Sequence, residues 1–186
     1  GGPAAGGGGG GGGRWGVAGA PLGGGGGGGR AGGVGRQPPP ILIGGGGKRV
    51  LTIAAREADI VGVNASMHAG VVGPDAIASM TAEAVDDKLA ILREAAGDRL
   101  AAIELNVRAF MVNVTDHRDA ALGAIAGALQ VEPSMVANTP FALIGSPASI
   151  VEDLLARRER WGFSYVIVGG EDVESFAPVV AALAGR

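Results

Sequence analysis

The residues of this sequence with the clearest capacity for chemistry are four consecutive glycines, Gly44–Gly47, followed by Lys48 and Arg49. Glycine has no Cβ, so it leaves backbone N–H groups open to a ligand. Where such a turn leads into a helix, free N–H groups and the positive end of the helix dipole meet at one spot, which suits an anion such as phosphate. A flexible connection with two solvated cations is the alternative that the glycines alone leave open.

The segments on either side of the glycines predict how the turn is held. Three prolines, Pro38–Pro40, keep the approach extended and exclude a helix there. The apolar, mostly β-branched run Ile41–Ile43 is typical of a strand buried on both faces. In Val50–Asp59 the apolar residues recur at helical spacing, at Leu51, Ala54, Ala55 and Ala58. The sequence therefore predicts a strand, a glycine turn and a helix N-terminus.

This stretch matches neither of the common nucleotide-binding motifs. A Walker A loop would need a glycine at Leu42, and a Ser or Thr in place of Arg49 to hold Mg²⁺. The dinucleotide fingerprint would need a third glycine, also at Arg49. The phosphate interpretation therefore depends on the predicted geometry and not on a consensus motif.

Residues 1–37 differ in composition from the rest of the chain. Glycine accounts for 22 of them, and Arg14, Arg30 and Arg36 are their only charged residues. Such a segment can bury too little surface to offset the entropy of ordering, so we expect disorder. An Arg-Gly tail that binds nucleic acid would need aromatic residues to stack on bases, and the segment has only Trp15. We therefore divide the chain into a glycine-rich low-complexity segment, 1–37, and a folded domain, 38–186.

The composition of residues 38–186 excludes several classes of function. Twelve Lys and Arg against 18 Asp and Glu, a net charge of −6, argue against a nucleic-acid surface. The absence of Cys excludes disulfides and thiol chemistry and fits a reducing cytoplasm, where we expect the protein. No apolar run approaches the roughly 20 residues that span a bilayer, so we expect no membrane segment. His68 and His117 stand far apart with no second ligand at metal spacing, so we expect no metal site.

Strand-like and helix-like segments alternate along the folded part. We predict strands at 41–43, 60–64, 103–114 and 163–168, with helices between them. Thr81, Asp116 and Ser146 are the predicted helix N-caps. This alternation calls for parallel strands joined by right-handed helical crossovers. The pattern alone leaves open half of an eightfold barrel or a small doubly wound sheet.

The third predicted strand has a polar face. Ile103, Leu105 and Val107 alternate with Glu104, Asn106 and Arg108. A strand whose second face carries such groups favours a barrel interior, in which Glu104 and Arg108 could pair. A solvent-facing strand end is the alternative.

Several separated segments resemble one known family. These are PPPILIGGGGKRVLTIAAREADIVGVN, DDKLAILREAAGDR, IELNVRAFMVNVTD, LIGSPASIVEDLLARRERWGFSYVIVGGED and FAPVVAALAGR. Together they resemble the luciferase-like monooxygenase superfamily, and most of all its branch that uses the deazaflavin coenzyme F-420. The resemblance covers essentially all of residues 38–186 in order.

The resemblance implies an α/β fold of the (β/α)8 TIM-barrel type, of which this chain holds strands five to eight. Ligands of such barrels bind at the C-terminal ends of the strands. In the family the glycine turn after strand five holds the cofactor phosphate. That role falls on Gly46, Gly47 and Arg49, with Gly45 and Lys48 adjacent. Asn64, after the following strand, is implied to face the substrate.

The implied activity is that of a deazaflavin-dependent oxidoreductase, which transfers a hydride between coenzyme F-420 and a small organic substrate. A flavin mononucleotide (FMN)-dependent monooxygenase of the same superfamily is the enzymatic alternative. The second class of function is non-catalytic. In it, the chain is a half-barrel that binds phosphate, or that self-associates through exposed strand edges as a homodimer. Members normally carry strands one to four, with the cofactor-ring pocket and the acid/base residues, before this point. No catalytic residue can therefore be assigned.

Overall fold

The computed structural model of the chain describes residues 38–66 and 74–185. Within these ranges the strands are β1 (Leu42–Gly45), β2 (Ile60–Val63), β3 (Glu104–Arg108), β4 (Met111–Val114), β5 (Ala142–Gly145) and β6 (Phe163–Ile167). The helices are α1 (Lys48–Glu57), α2 (Pro74–Ala78), α3 (Ala82–Ala96), α4 (Arg118–Leu129), α5 (Pro133–Asn138), α6 (Pro147–Trp161) and α7 (Val173–Leu183). The glycine-rich segment 1–37 and His68 lie outside the described residues.

Four strands form one parallel sheet in the order β1-β2-β3-β6. The pairing aligns Gly44 with Gly62 and Gly62 with Asn106, so the C-terminal ends of these strands lie at one edge of the sheet. Each of these strands is followed by at least one helix before the next strand of the sheet. The prediction of an α/β fold with four parallel strands side by side is confirmed.

One face of this sheet packs against the helices. Val61, Val63, Leu105 and Val107 join a buried cluster with Leu51 of α1 and with residues of α3 such as Val85, Leu89 and Leu92. Alternate residues point to the other face, because side chains of a strand alternate between its two sides. That second face carries Gly44, Gly62 and Asn106 side by side. The three residues are closely packed, since a Cβ placed on Gly62 would lie 3.2 Å from the Asn106 Oδ1 atom.

The prediction of one strand over 103–114 was wrong. Ala109 still donates its N–H to the Ile167 carbonyl at 2.9 Å, as part of the main sheet. The chain then leaves that sheet, because the N–H groups of Phe110 and Met111 both donate to the Phe141 carbonyl, at 2.9 and 3.2 Å. The segment beyond them pairs as β4 with β5 in a separate two-stranded parallel sheet. The completely buried β5 comes from an apolar stretch that the sequence did not assign to a strand.

The prediction that Ile41–Ile43 is buried on both faces was also wrong. Ile41 is 56% exposed and Leu42 is 46% exposed, and only Ile43 packs against the core. The reason is position, since β1 is the edge strand of the described sheet and has β2 as its one neighbour there.

The polar side chains of β3 have partners other than those predicted. Glu104 accepts a hydrogen bond from the Ser164 hydroxyl at 3.4 Å, and Asn106 donates to the Tyr165 carbonyl at 3.0 Å. Arg108 lies over the ring of Phe110, 5.6 Å from its centroid. The predicted Glu104–Arg108 pair is therefore not formed.

Two of the three predicted helix caps are confirmed. Thr81 accepts from the Ala84 N–H at 3.1 Å, and Ser146 accepts from the Ser149 N–H at 3.3 Å. Asp116 does not cap α4, because the capping position is His117, which makes no side-chain cap.

A polar cluster joins α3 to the end of α6. The Asp86 carboxylate accepts from the Arg160 guanidinium and from the Trp161 indole N–H, each at 2.6 Å. Arg160 also lies over the Trp161 ring, 4.7 Å from its centroid. The hydrogen bond from Arg160 lowers the pKa of Asp86 below its usual value. Trp161 is almost completely buried, and this carboxylate supplies the acceptor for its indole N–H.

Lys88 of α3 is a buried lysine, only 6% exposed. Its ammonium donates to the Ser79 carbonyl in the segment between α2 and α3. Burial disfavours the charged form and lowers the pKa of Lys88 to about 8. The segment that leads into α3 is thus anchored by a charge held out of water.

We expect Asp86→Ala to lower the free energy of unfolding by about 1–2 kcal/mol, because it leaves the Trp161 N–H buried without an acceptor. Urea denaturation measures the change. Asp87→Ala removes the neighbouring, exposed carboxylate of the same helix. We expect it to have little effect, and equal losses for the two variants would contradict the role of the cluster.

We expect the free energy of unfolding to rise with pH between about 7.5 and about 9.5, by roughly 1–2 kcal/mol. Lys88 titrates at about 8 in the folded chain against a reference value of 10.5, so the unfolded chain binds more protons in this window. Denaturation at a series of pH values measures the slope. Lys88→Met should flatten it. Lys48→Met, which changes an exposed lysine and the only other one in the sequence, should retain it. A slope unchanged in Lys88→Met would contradict this assignment.

Candidate functional site

A cavity of about 600 Å³ opens at the C-terminal ends of the parallel strands. The sequence-predicted residues among its lining are Gly45, Gly46 and Asn64. The remaining lining residues are mostly apolar: Ala65, Ala76, Ile77, Met80, Arg108, Phe110, Met111, Leu129 and Met135. The cavity is therefore at the end of the sheet where barrels of this type bind their ligands.

Two of the four consecutive glycines, at the end of β1 and in the turn after it, are required by packing. A Cβ placed on Gly46 would lie 2.4 Å from the Ala65 carbonyl oxygen and 2.6 Å from that of Asn64. A Cβ on Gly45 would lie 2.4 Å from the Val50 Cγ1 atom. The turn after β1 thus passes so close to the end of β2 that only glycine fits at Gly46.

Hydrogen bonds hold this turn against the end of β2. The Asn64 N–H donates to the Gly45 carbonyl at 3.0 Å. The Ser66 hydroxyl donates to the Gly46 carbonyl at 2.8 Å, and the Ser66 N–H donates to the Ser79 hydroxyl at 2.8 Å. Because Ser79 also accepts the Lys88 hydrogen bond, the turn is connected through Ser66 to the buried lysine.

The helix that follows the turn begins without a cap. Gly47 is the N-cap residue, in an extended conformation with φ −95°, and it makes no side-chain hydrogen bond. The first turn of α1 contains no acidic residue and begins with Lys48 and Arg49, both exposed. The first N–H groups of a helix have no partner within it, and cations are unfavourable near its positive end. A bound anion would relieve both deficiencies.

Gly47 differs from its two predecessors, because no atom of residues 38–66 and 74–185 lies within 4 Å of a Cβ placed there. Packing therefore does not explain why this residue is glycine. The open space beside the helix N-terminus is what a phosphate cradle requires, so the residues present fit an anionic group.

Asn64 follows β2 and is half-buried. Its Nδ2 atom lies 3.0 Å from a Cβ placed on Gly44 and 3.9 Å from one placed on Gly62. The side chain thus lies over the glycine layer of the sheet, at the cavity. A side-chain amide can both donate and accept hydrogen bonds, so it can orient a polar ligand group of either kind.

The sequence analysis did not identify the apolar wall of the cavity or its charged member. Among the described residues, Arg108 is the only charged one in the lining. It lies over Phe110, which in turn stacks on Phe141 with ring centroids 5.8 Å apart. Met80, Met111 and Met135 come from three separate segments of the chain. One signal in the sequence could have indicated this wall. The alternation of apolar and polar residues in the predicted strand breaks at Phe110, where an aromatic residue stands in place of a polar one.

The structure thus brings Gly45, Gly46 and Asn64 together at one cavity. Gly47, Lys48 and Arg49 follow directly along the chain but do not line it. Within residues 38–66 and 74–185, no three His, Asp or Glu side chains are grouped closely enough to hold a metal ion. In the same ranges, none of the helices has the length and apolar character needed to cross a bilayer.

No protein-family model matches the sequence, and a search of curated proteins finds no significant match. Solved structures do match. An EDTA monooxygenase from Chelativorans sp. BNC1 aligns with a TM-score of 0.51 at 12% identity, over 78% of this chain and 46% of that one. An F-420-dependent secondary alcohol dehydrogenase, in complex with an F-420–acetone adduct, aligns with a TM-score of 0.50 at 13% identity, over 81% and 50%. A long-chain alkane monooxygenase aligns with a TM-score of 0.50 at 14% identity, over 77% and 40%.

The chain therefore spans about half the length of the proteins that it matches. Those proteins include an F-420-dependent enzyme and monooxygenases, the two kinds of enzyme that the sequence resemblance implied. At these identities the likeness concerns the fold. The predicted fold is confirmed: the chain has the architecture of part of a (β/α)8 barrel.

Proposed function

We propose that the chain is the phosphate-binding part of a luciferase-like oxidoreductase that uses the deazaflavin coenzyme F-420. The turn Gly45–Gly47 with Lys48 and Arg49 would hold the cofactor phosphate, and Asn64 would contact a small organic substrate. When bound, the deazaflavin supplies the hydride chemistry. The chain itself would bind and orient the cofactor through backbone N–H groups, two cationic side chains and the cavity.

One observation carries this proposal, the uncapped N-terminus of α1. Lys48 and Arg49 occupy its first turn with no acidic residue and no capping side chain, and Gly47 leaves the space beside it open. This arrangement costs stability unless an anion is present. It lies directly after two residues that line the cavity, so an anion there can belong to a ligand that extends into the cavity.

The cavity lining indicates what the rest of that ligand is like. The described part of its walls consists of methionines, a phenylalanine and aliphatic groups, with Arg108 as the one charged residue. Flexible methionine side chains adapt to varied apolar shapes. A planar ring or an apolar substrate with one anionic or carbonyl group therefore fits best.

FMN is the alternative cofactor, in a monooxygenase that activates O₂. It is supported by the monooxygenases among the matching structures. Both cofactors carry a phosphate on the chain that leads from the ring, so the same cradle suits either. Titration of the full chain with each, followed by cofactor fluorescence, distinguishes them by affinity.

We expect Gly47→Ala to weaken cofactor binding at least about tenfold, because its Cβ would occupy the space for the phosphate. Arg49→Gln should weaken binding by a similar factor through loss of a charge-assisted hydrogen bond. Both variants should unfold at the temperature of the original chain, since neither side chain packs in the core.

Gly170→Ala is the matched control for Gly47→Ala. It changes a glycine after β6 whose Cβ would likewise meet no atom of the described part of the chain within 4 Å. We expect unchanged affinity. Failure of the original chain to bind either cofactor, or equal effects of Gly47→Ala and Gly170→Ala, would contradict the proposed function.

A further inference from the structure

We propose that Ser66 is a positioning residue for phosphate binding, because its hydroxyl locks the peptide unit between Gly46 and Gly47 in one orientation. The inference rests on the proposed function, in which the Gly47 N–H is one of the donors to the phosphate. Ser66 itself is not part of the cavity lining. Its role is to hold the backbone that the ligand meets.

The lock is the hydrogen bond from the Ser66 hydroxyl to the Gly46 carbonyl, at 2.8 Å. The preceding carbonyl, that of Gly45, is held in a similar way by the Asn64 N–H at 3.0 Å. A trans peptide unit is planar, and its C=O and N–H bonds point in opposite directions. The bond that fixes the Gly46 carbonyl therefore also fixes the Gly47 N–H, which points away from Ser66.

Two successive glycines make such a lock necessary, because their peptide unit can turn over. Turning over rotates φ of Gly47 from −95° by about 180° into the positive region, which glycine accepts without a steric penalty. The described residues leave open space beside Gly47, so packing does not prevent this rotation. The inverted unit would present the Gly46 carbonyl oxygen, an acceptor, where an anion needs a donor.

The backbone of Ser66 is held by Ser79. The Ser66 N–H donates to the Ser79 hydroxyl oxygen at 2.8 Å, and that hydroxyl donates to the Ala76 carbonyl at 2.7 Å. A serine hydroxyl has one hydrogen to donate, so Ser79 acts as an acceptor toward Ser66. Ser66 is thus fixed through its N–H and uses its own hydroxyl hydrogen for Gly46.

Ser79 and Met80 are in turn fixed by two buried side chains. The Lys88 ammonium donates to the Ser79 carbonyl, and the Thr139 hydroxyl donates to the Met80 carbonyl. Lys88 is 6% exposed and Thr139 is completely buried. Breaking either bond would leave a buried polar group without its partner, which is costly. The orientation of the Gly46–Gly47 peptide is therefore set from the interior of the fold, before any ligand binds.

The lock can be tested without a ligand, by measuring nuclear Overhauser effects in the full chain. In Ser66→Ala we expect an effect between the Gly47 amide hydrogen and the methyl group of residue 66, because the peptide unit inverts in part of the molecules. In the original chain the amide hydrogen points away, and we expect no effect to the Ser66 β-hydrogens. Ser66→Thr keeps the hydroxyl and should behave as the original chain does. Absence of the effect in Ser66→Ala would overturn the proposal.

Titration with inorganic phosphate, followed through the amide signals, tests the consequence for binding. Ser66→Ala should weaken binding about five- to tenfold, since only molecules with the unit in its original orientation can bind. Ser66→Thr should stay within about twofold of the original affinity.

Ser164→Ala is the matched control. It removes the hydroxyl of another half-buried serine, which donates to Glu104 at 3.4 Å near the opposite ends of the strands. We expect unchanged affinity, and equal losses in Ser66→Ala and Ser164→Ala would overturn the proposal. The proposed function fails separately: if the original chain binds neither phosphate nor cofactor while the effect appears in Ser66→Ala, the lock exists but does not serve phosphate binding, and the proposal falls with the function.

Discussion

The candidate site depends on one close approach of backbone to backbone, at Gly46. There the turn after β1 lies so near the carbonyls of Asn64 and Ala65 that a Cβ would lie 2.4 Å from one of them. The parallel pairing of β1 with β2 brings the two segments together, and Ser66 fixes their relation by donating to the Gly46 carbonyl. Ser66 is held in turn by Ser79, whose carbonyl accepts from the buried Lys88. The position of the turn is therefore set by the chain's own packing and hydrogen bonds and does not require a ligand.

This explains why an unfavourable helix N-terminus can persist. Because the turn is held by β2 and Ser66, α1 begins where it does whether or not its first N–H groups have partners. Two cations at the positive end of the dipole then cost local stability. Places where a local rule is broken inside a consistent fold are typical of functional sites. Hydrogen bonds thus hold Gly46 in place, while the absence of a cap at Gly47 leaves the first backbone N–H groups of α1 without partners. Together they make a rigid turn with hydrogen-bond donors free for a ligand.

Much of the fold could be predicted because local signals were strong. The alternation of apolar runs with capped helices predicted four parallel strands, and Thr81 and Ser146 cap where expected. The signals failed where long-range pairing decided the outcome. Phe110 and Met111 leave the main sheet because Phe141, about 30 residues away in the chain, offers their acceptor. The exposure of Leu42 is likewise a property of the sheet edge and not of its own sequence. For the site, the glycines were visible in the sequence and Asn64 was implied by the family resemblance, whereas Met80, Met111 and Met135 converge only through the tertiary fold.

The central claim is that the backbone N–H groups at the start of α1 bind a phosphate group. The most direct measurement is a ¹⁵N-resolved NMR titration of the full chain with inorganic phosphate and then with each cofactor. We expect saturable shifts of the Gly47, Lys48 and Arg49 amide signals, with smaller changes at Gly45 and Gly46. Shifts confined to other residues, or no saturable change at these amides with any of the three ligands, would contradict the account.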